Sequence, residues 1–398
     1  MGSKPSTNFE ESTHYGGAAS VRFYPGAHYY AITDPEMNFK NKRAGGATSL
    51  TGVMDKGMGL MLYPMYEMKK YLKNYFRSTT IEEMFDSPMS LDDLLKEGTQ
   101  AHVKKSDRGK SVGTDAHAWV ESYLREALRV QEQLGINNMD ELVAQRAAYD
   151  AEFKVPEIPS VEELGVRLRQ SYIEIFKATK PKDIEAYRKL TKSLFADAEI
   201  QEGLHIEATM LNLATTAAKG WFDIHDVFVH GTEDTVYSRK MQICGKYDAD
   251  LSVRCGNRCN WCYLNGDEEK IVNVLNELGE DHTFTGRYIT DYKSTNASSS
   301  APKGIYKEYL AQCGIYDLAK TEEFPDIEYA GHLILNGSKN DPKRDANGDP
   351  IPLIKGKPYS PFNTHFSFER ERNRKWGLML AELKEIMYEA GKEVEKSA

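Results

Sequence analysis

Apolar positions change rhythm along the chain, and the change divides it. From Asp115 to Gln133, the residues Trp119, Val120, Tyr123, Leu124, Ala127 and Leu128 recur at helical spacing and line one face. Pro156 and Pro159 then break the chain, and Val161 to Lys219 keeps a helical character interrupted by Pro181. From Trp221 onward the pattern becomes short β-branched and aromatic runs, so Phe222–Val229, Thr235–Val253, Thr283–Lys293 and Tyr329–Asn336 are expected strands. Between them Ile271–Leu278 and Ile305–Ala319 are expected helices, and Glu369–Lys392 closes the chain as an amphipathic helix. Upstream, Ala47–Phe76 reads as a turn followed by a helix rich in Met, Leu and Tyr. Ser106–Thr114, Ala297–Pro302 and Asn340–Lys357 are polar, punctuated by Gly, Ser or Pro, and expected to be loops. The first 20 residues are Gly/Ser/Thr-rich, and residues 1–40 are expected to form a flexible tail. Helices, then strands with helices between them, predict an α/β fold with a mixed central sheet flanked by helices. That domain spans residues 41–392, with a helical insertion at 161–219 and a Cys-rich insertion at 254–282.

Composition narrows the class. The 398 residues are 40% apolar and 28% charged, as in soluble globular proteins. No apolar run reaches the roughly 18 residues of a membrane span, and the first fifteen residues lack a signal-peptide core. A cytoplasmic protein is expected. A net charge of −9 argues against a general polyanion binder, whereas an acidic enzyme can still carry a local basic cleft.

The segment richest in chemistry is Gly245-Lys-Tyr-Asp248-Ala-Asp250, followed by Gly286-Arg-Tyr-Ile-Thr-Asp291-Tyr-Lys293. Residues two apart on a strand share a face, so Asp291 and Lys293 point together, as do Asp248 and Asp250. If the strands pair, carboxylates and an ammonium converge. Phosphodiester hydrolysis uses that set: carboxylates hold Mg²⁺ or Mn²⁺, and a lysine orients the attacking water or neutralises developing charge. Acid-x-Lys alone is a cheap pattern; it recurs at Glu67, Glu152, Glu268, Asp341 and Glu382. Position at the end of an aromatic, β-branched run sets Asp291-Tyr-Lys293 apart.

Taken in order, the motifs resemble the PD-(D/E)XK nuclease superfamily, in particular its RecB-like and phage exonuclease branch. Gly245-Lys-Tyr-Asp248 resembles the Gly-x-x-Asp strand, Asp291-Tyr-Lys293 the acid-x-Lys strand, and Gln312-Cys-Gly-Ile-Tyr316 the Gln-x-x-x-Tyr helix. Gly113-Thr-Asp-Ala-His117 resembles the upstream helix start that carries a histidine. Thr48-Ser-Leu-Thr, Tyr329-Ala-Gly-His and Arg374-Lys-Trp376 resemble flanking segments, so the likeness extends from Ala47 to Met387. It implies a restriction-endonuclease-like core and a Mg²⁺- or Mn²⁺-dependent deoxyribonuclease, an exonuclease serving phage or prophage recombination, replication or DNA degradation in the bacterial host cytoplasm. Carried over, His117, Asp248 and Asp291 are metal ligands, Lys293 is the catalytic lysine, and Gln312 and Tyr316 contact the DNA backbone or support the site. Glu233 and Asp250 are further candidates. Arg287, Lys303 and the Lys104–Lys110 segment are candidate phosphate contacts. No Gly-x-x-x-x-Gly-Lys-Ser/Thr helicase motif is present, so unwinding falls to a partner; the resemblance suggests a helicase or a single-strand annealing protein. Homo-oligomerisation stays open.

Four of the five cysteines, Cys244, Cys255, Cys259 and Cys262, fall close together. In a reducing compartment such spacing indicates a structural Zn²⁺ or an iron–sulfur cluster, with His282 as a substitute ligand. The Cys-x-x-x-Cys-x-x-Cys trio also supports a second reading, a radical S-adenosylmethionine enzyme. A third is a non-catalytic nucleic-acid-binding protein.

Overall fold

Alternation organises the N-terminal residues. Val21 and Phe23 are buried, while the flanking Ser20, Arg22 and Tyr24 are not; on the next strand Tyr30 and Ile32 are buried, and so is the small Ala31 between them. The computed structural model describes residues 8–25, 29–51, 68–75, 90–167, 198–255, 262–265, 284–295, 307–338, 344–349 and 362–397. The chain forms two compact units: Met1–Met54, His117–Glu157 and Leu213–Ala398 make the first, Asp55–Ala116 and Ile158–Asn212 the second.

In the first unit, β1 (Glu10–His14), β2 (Ala19–Tyr24), β3 (Tyr29–Asp34) and β4 (Phe39–Gly46) form an antiparallel meander. The strand β5 (Asp226–Thr232) opens a second sheet, but β6 (Thr235–Ser238) and β7 (Ile243–Lys246) return to the first. There β7 pairs parallel with β4, and the order is β1-β2-β3-β4-β7-β6. Because β6 also comes back against β1, the sheet curls almost onto itself. Ala19, Val21, Phe23, Tyr30, Ile32, Tyr237 and Cys244 fill its interior. The expected tail over residues 1–40 is therefore corrected: from Glu10 the chain is sheet. Glycine and serine gave this stretch a loop-like composition, but alternation decides the fold because it lets one strand face bury.

The second sheet runs β5-β8-β10-β11-β12-β9, with β8 (Ala249–Cys255), β9 (Cys262–Asn265), β10 (Phe284–Thr295), β11 (Gly331–Ser338) and β12 (Phe362–Ser367). β8 and β10 are antiparallel; β10 and β11 are parallel. A parallel pair needs a crossover, which the helix between residues 307 and 323 supplies. The numbered helices are α1 (Ala47–Thr51), α2 (Leu91–Leu134), α3 (Met139–Ala144), α4 (Arg146–Glu152), α5 (Ala198–Ile224), α6 (Lys307–Glu323) and α7 (Arg370–Ser397), and residues 68–75 and 161–167 are helical as well. α6 and α7 cover one sheet face, burying Ile289 and Ile334 against Leu310, Ala311, Ile315 and Leu380. The other face meets α2 and α5: Gln131 brackets the Val229 backbone with hydrogen bonds of 2.8 and 3.0 Å, and the Tyr292 hydroxyl donates to the Ala214 carbonyl at 3.5 Å.

Glycine lets α6 and α7 approach closely. A Cβ on Gly314 would lie 2.8 Å from the Arg374 nitrogen, and one on Gly377 2.8 Å from Ile315 Cγ1. Beside that crossing, buried Asp317 accepts two hydrogen bonds from Arg370 (2.6 and 2.8 Å) and one from His332 Nε2 (3.1 Å). On its other side, His332 Nδ1 lies 3.0 Å from the Asn373 amide nitrogen, so both ring nitrogens are engaged.

The second unit is helical in its described residues. Leu164 and Leu204 are buried in it, and Arg167 pairs with Asp115 at 3.2 Å. Its residues 91–116 belong to α2, which corrects the expected loop at Ser106–Thr114. Val112 and Ala116 are buried one turn apart, in phase with Trp119 and Val120, so Gly109 and Gly113 are carried inside a helix. Two boundaries also move. Phe222–Ile224 ends α5 instead of starting a strand, and 235–253 is three strands, not one. Residues 271–278 and 297–302 lie outside the described residues, as does most of 340–357.

A candidate metal centre

The site forms where the β7–β8 turn meets the end of β10. Thr290 pairs with Ala249, so one step further Asp248 faces Asp291 across the antiparallel ladder. The Tyr292 amide donates to Asp248 Oδ2 at 2.6 Å and fixes that carboxylate. On the other side, the Asp248 carbonyl accepts from the Thr232 hydroxyl (2.9 Å) and the Glu233 amide (3.2 Å). These bonds tie the β5–β6 turn to the β7–β8 turn and bring Glu233 to the site. Glu233 adopts a φ of +53°, a left-handed conformation that costs a non-glycine residue energy and that such turns normally give to Gly or Asn.

His117 comes from α2. Its Nδ1 lies 3.5 Å from Asp248 Oδ2, and its ring meets the Tyr292 ring edge-on at 4.9 Å. One atom each from His117, Glu233 and Asp248 lie within 4.8 Å of one another, a spacing that suits a single cation. Asp291 stands outside that trio, only 1% exposed, with Lys293 Nζ 2.7 Å from both its oxygens. The ammonium is aligned as a donor to Oδ1 only; Oδ2 has a close counter-charge but no aligned hydrogen bond. Lys293 also lies 5.0 Å from the Tyr309 ring.

The electrostatics describe a place short of positive charge. Burial pushes Asp291 up to about 6 against the pull of Lys293, and Asp248 adds to the rise. Burial likewise lifts Asp248, and it lifts Glu233 to about 7 with Asp248 as second cause. Desolvation works against the Lys293 cation, but Asp291 and Asp248 outweigh it and hold its pKa above the ordinary lysine value. Burial, then Lys293, push His117 down, so its imidazole is neutral, the form that ligates metals. A divalent cation would relieve the strain of the acidic groups, and the imidazole and carboxylate donors fit one.

The remaining expected residues divide clearly. Asp250 shares the strand face of Asp291 but is committed elsewhere. It is 1% exposed, gripped by Arg287 through two bonds of 2.8 and 2.7 Å, and accepts from the Tyr329 hydroxyl at 2.9 Å. The same pairing occupies the Arg287 guanidinium. Gln312 and Tyr316 meet on α6, where the Gln312 amide donates to the Tyr316 hydroxyl at 2.6 Å. His117 sits inside a long helix, not at its start. Cys244 is buried in the apolar interior of the first sheet, and burial raises its thiol pKa. Cys255 and Cys262 end and begin strands; Cys259, His282 and Lys303 lie outside the described residues, as do the side chains of Lys104–Lys110.

Two participants escaped the sequence. Glu121, one helical turn beyond His117, adds negative charge felt by Asp248, Glu233 and Lys246; its i+4 spacing is the signal that could have found it. Lys246 lies 3.5 Å from Glu233 and 3.2 Å from Glu10. Thr48, from the segment that the resemblance had marked, accepts from the Gln312 amide at 3.5 Å. No known protein family matches the sequence, and no curated protein matches it.

Proposed function

We propose that this chain is a divalent-metal-dependent deoxyribonuclease with a PD-(D/E)XK core, acting as an exonuclease. One observation carries the reading: Lys293 and Asp291 form a buried ion pair on the strand facing Asp248, next to a His117–Glu233–Asp248 group with cation-binding spacing. The topology supports it, since an antiparallel pair carrying the acidic residues runs into a parallel β–α–β unit whose helix bears Gln312 and Tyr316. Among the described residues no helix is long and apolar enough to cross a membrane.

His117, Glu233 and Asp248 would hold the cation, with Asp291 presenting Oδ2 beside them. A bound divalent ion supplies Lewis acidity to the phosphoryl oxygen and lowers the pKa of water. The protein's own groups do the positioning. The Tyr292 amide and the Asp291 pair hold Asp248 and Lys293 rigid before substrate arrives. Lys293 keeps its proton and stabilises charge developing on the phosphate. Gln312 and Tyr316, buried and bonded to one another, brace the site from α6.

Incubating linear and circular DNA with Mg²⁺ or Mn²⁺ tests the proposal. Wild type should degrade the linear form alone, and Lys293→Ala should lose at least about a hundred-fold in rate, with circular dichroism confirming that the variant is folded. Equal cleavage by a folded Lys293→Ala protein rejects the site. Chelator-resistant cleavage rejects the metal.

A further inference from the structure

A cavity of about 260 Å³ opens beside the metal-binding group, and Glu233 belongs to both. Its wall combines two kinds of surface. Phe23 and Tyr30, from the inner face of the curled sheet, stack with ring centroids 4.8 Å apart, and Tyr316 joins them from α6. Thr48, Lys246 and Glu233 add a hydroxyl, an ammonium and a carboxylate. Gly245 lets the Tyr316 ring pack against the β7 backbone in this wall: any side chain there would collide with the ring. Aromatic walls with a few converging polar groups are the make-up of a small-molecule site.

We propose that this cavity receives one nucleoside, the terminal residue of the DNA strand, so that cleavage releases single nucleotides. The inference rests on the nuclease reading for the identity of the bound chain. Three features favour a nucleoside. Aromatic surfaces suit a base, which stacks without regard to sequence. The hydroxyl, ammonium and carboxylate can bond sugar and base edges. Lys246 is already balanced by Glu10 and Glu233, so the wall offers little net positive charge to a second phosphate. Size sets the limit: about 260 Å³ falls below the roughly 300–1,000 Å³ of sites for drug-sized ligands. That is room for one nucleoside and not for a dinucleotide.

Two measurements test it together. Thymidine binding, followed by calorimetry without divalent metal, should be detectable for wild type. It should weaken at least about ten-fold in Thr48→Trp, since stacking on aromatic walls contributes roughly 5- to 150-fold per base. Thr48 is exposed, so a large ring there fills the cavity mouth while leaving the core intact. Mass analysis of the earliest products from linear DNA and Mn²⁺ should show mononucleotides. No thymidine binding by wild type, or first products two or more nucleotides long, overturns the inference while leaving a nuclease in place. Thymidine binding that Thr48→Trp removes, in a protein that cleaves nothing, leaves the cavity assignment standing and sinks the nuclease reading instead.

Discussion

Glu233 shows how the site and the fold compete for one residue. Its left-handed backbone is strained, and burial and Asp248 disfavour its charge; Lys246 offsets only part of this, and a bound cation would offset more. Glu233→Gly should therefore raise the melting temperature, by an amount corresponding to about 1 kcal/mol, while weakening metal binding. A thermal melt paired with a Mn²⁺ titration checks both directions; a variant that is less stable than wild type contradicts the strain argument. The grouping was partly legible at this scale. Order and spacing picked out Asp291, Lys293, His117 and Asp248, and the structure brings His117 to Asp248 and Lys293 to Asp291. Strand alternation puts Asp248 and Asp250 on one face, so only the Gly-x-x-Asp resemblance favoured Asp248, and Asp250 stayed a candidate. The partners that remove Asp250, Arg287 and Tyr329, lie 37 and 79 residues away in sequence.

At the scale of elements, α6 is the part on which the rest depends. It carries Gln312 and Tyr316, joins β10 to β11, and crosses α7 through glycine. Gly314→Ala would force a methyl group into the Asn373–Arg374 backbone. Overpacking of that kind costs roughly 1–3 kcal/mol, so the melting temperature should fall by several degrees; an unchanged melt would show that the crossing is looser than described. The polar lock next to it gives a pH dependence. Burial alone would raise Asp317, but the hydrogen bonds from Arg370 and His332 outweigh it and hold its pKa below the ordinary aspartate value. A depressed carboxylate contributes stability that is present above its unfolded pKa of about 3.9. That stability is lost as pH falls through the lower, folded value. Asp317→Asn should thus destabilise the protein at neutral pH, by roughly 3–5 kcal/mol if Arg370 is left unpaired, and the difference from wild type should shrink in acid. Denaturant melts at pH 7 and near pH 3 measure this. The elements most legible in the sequence were α6, β10 and the amphipathic face of α2 from Asp115; α6 and β10 are apolar runs buried nearly all round or on both faces, and only α2 shows one clear period. Residues 8–46 and 106–114 misled because glycine, serine and charge resemble a loop, while burial of every second residue, or every third and fourth, decided otherwise.

Across the whole molecule, the acidic balance and the site belong together. The chain carries a net charge of −9, and Glu121, Glu233, Asp248 and Asp291 concentrate negative charge at one place. On the nuclease reading proposed above, such a concentration would repel DNA until a cation neutralised it, which would couple metal binding to substrate binding. The division into two units was only half legible: residues 161–219 read as an insertion, but the second unit also takes residues 55–116, and α2 and α5 run through the boundaries without a break in periodicity. The central claim is that His117, Glu233 and Asp248 hold one divalent ion. Pulsed electron paramagnetic resonance on Mn²⁺-loaded protein tests it most directly. The account predicts one tightly held ion with nitrogen coupling from an imidazole, lost in Asp248→Asn, with the nitrogen signal alone lost in His117→Ala. An ion bound equally well by Asp248→Asn, or one without nitrogen coupling in wild type, would contradict it.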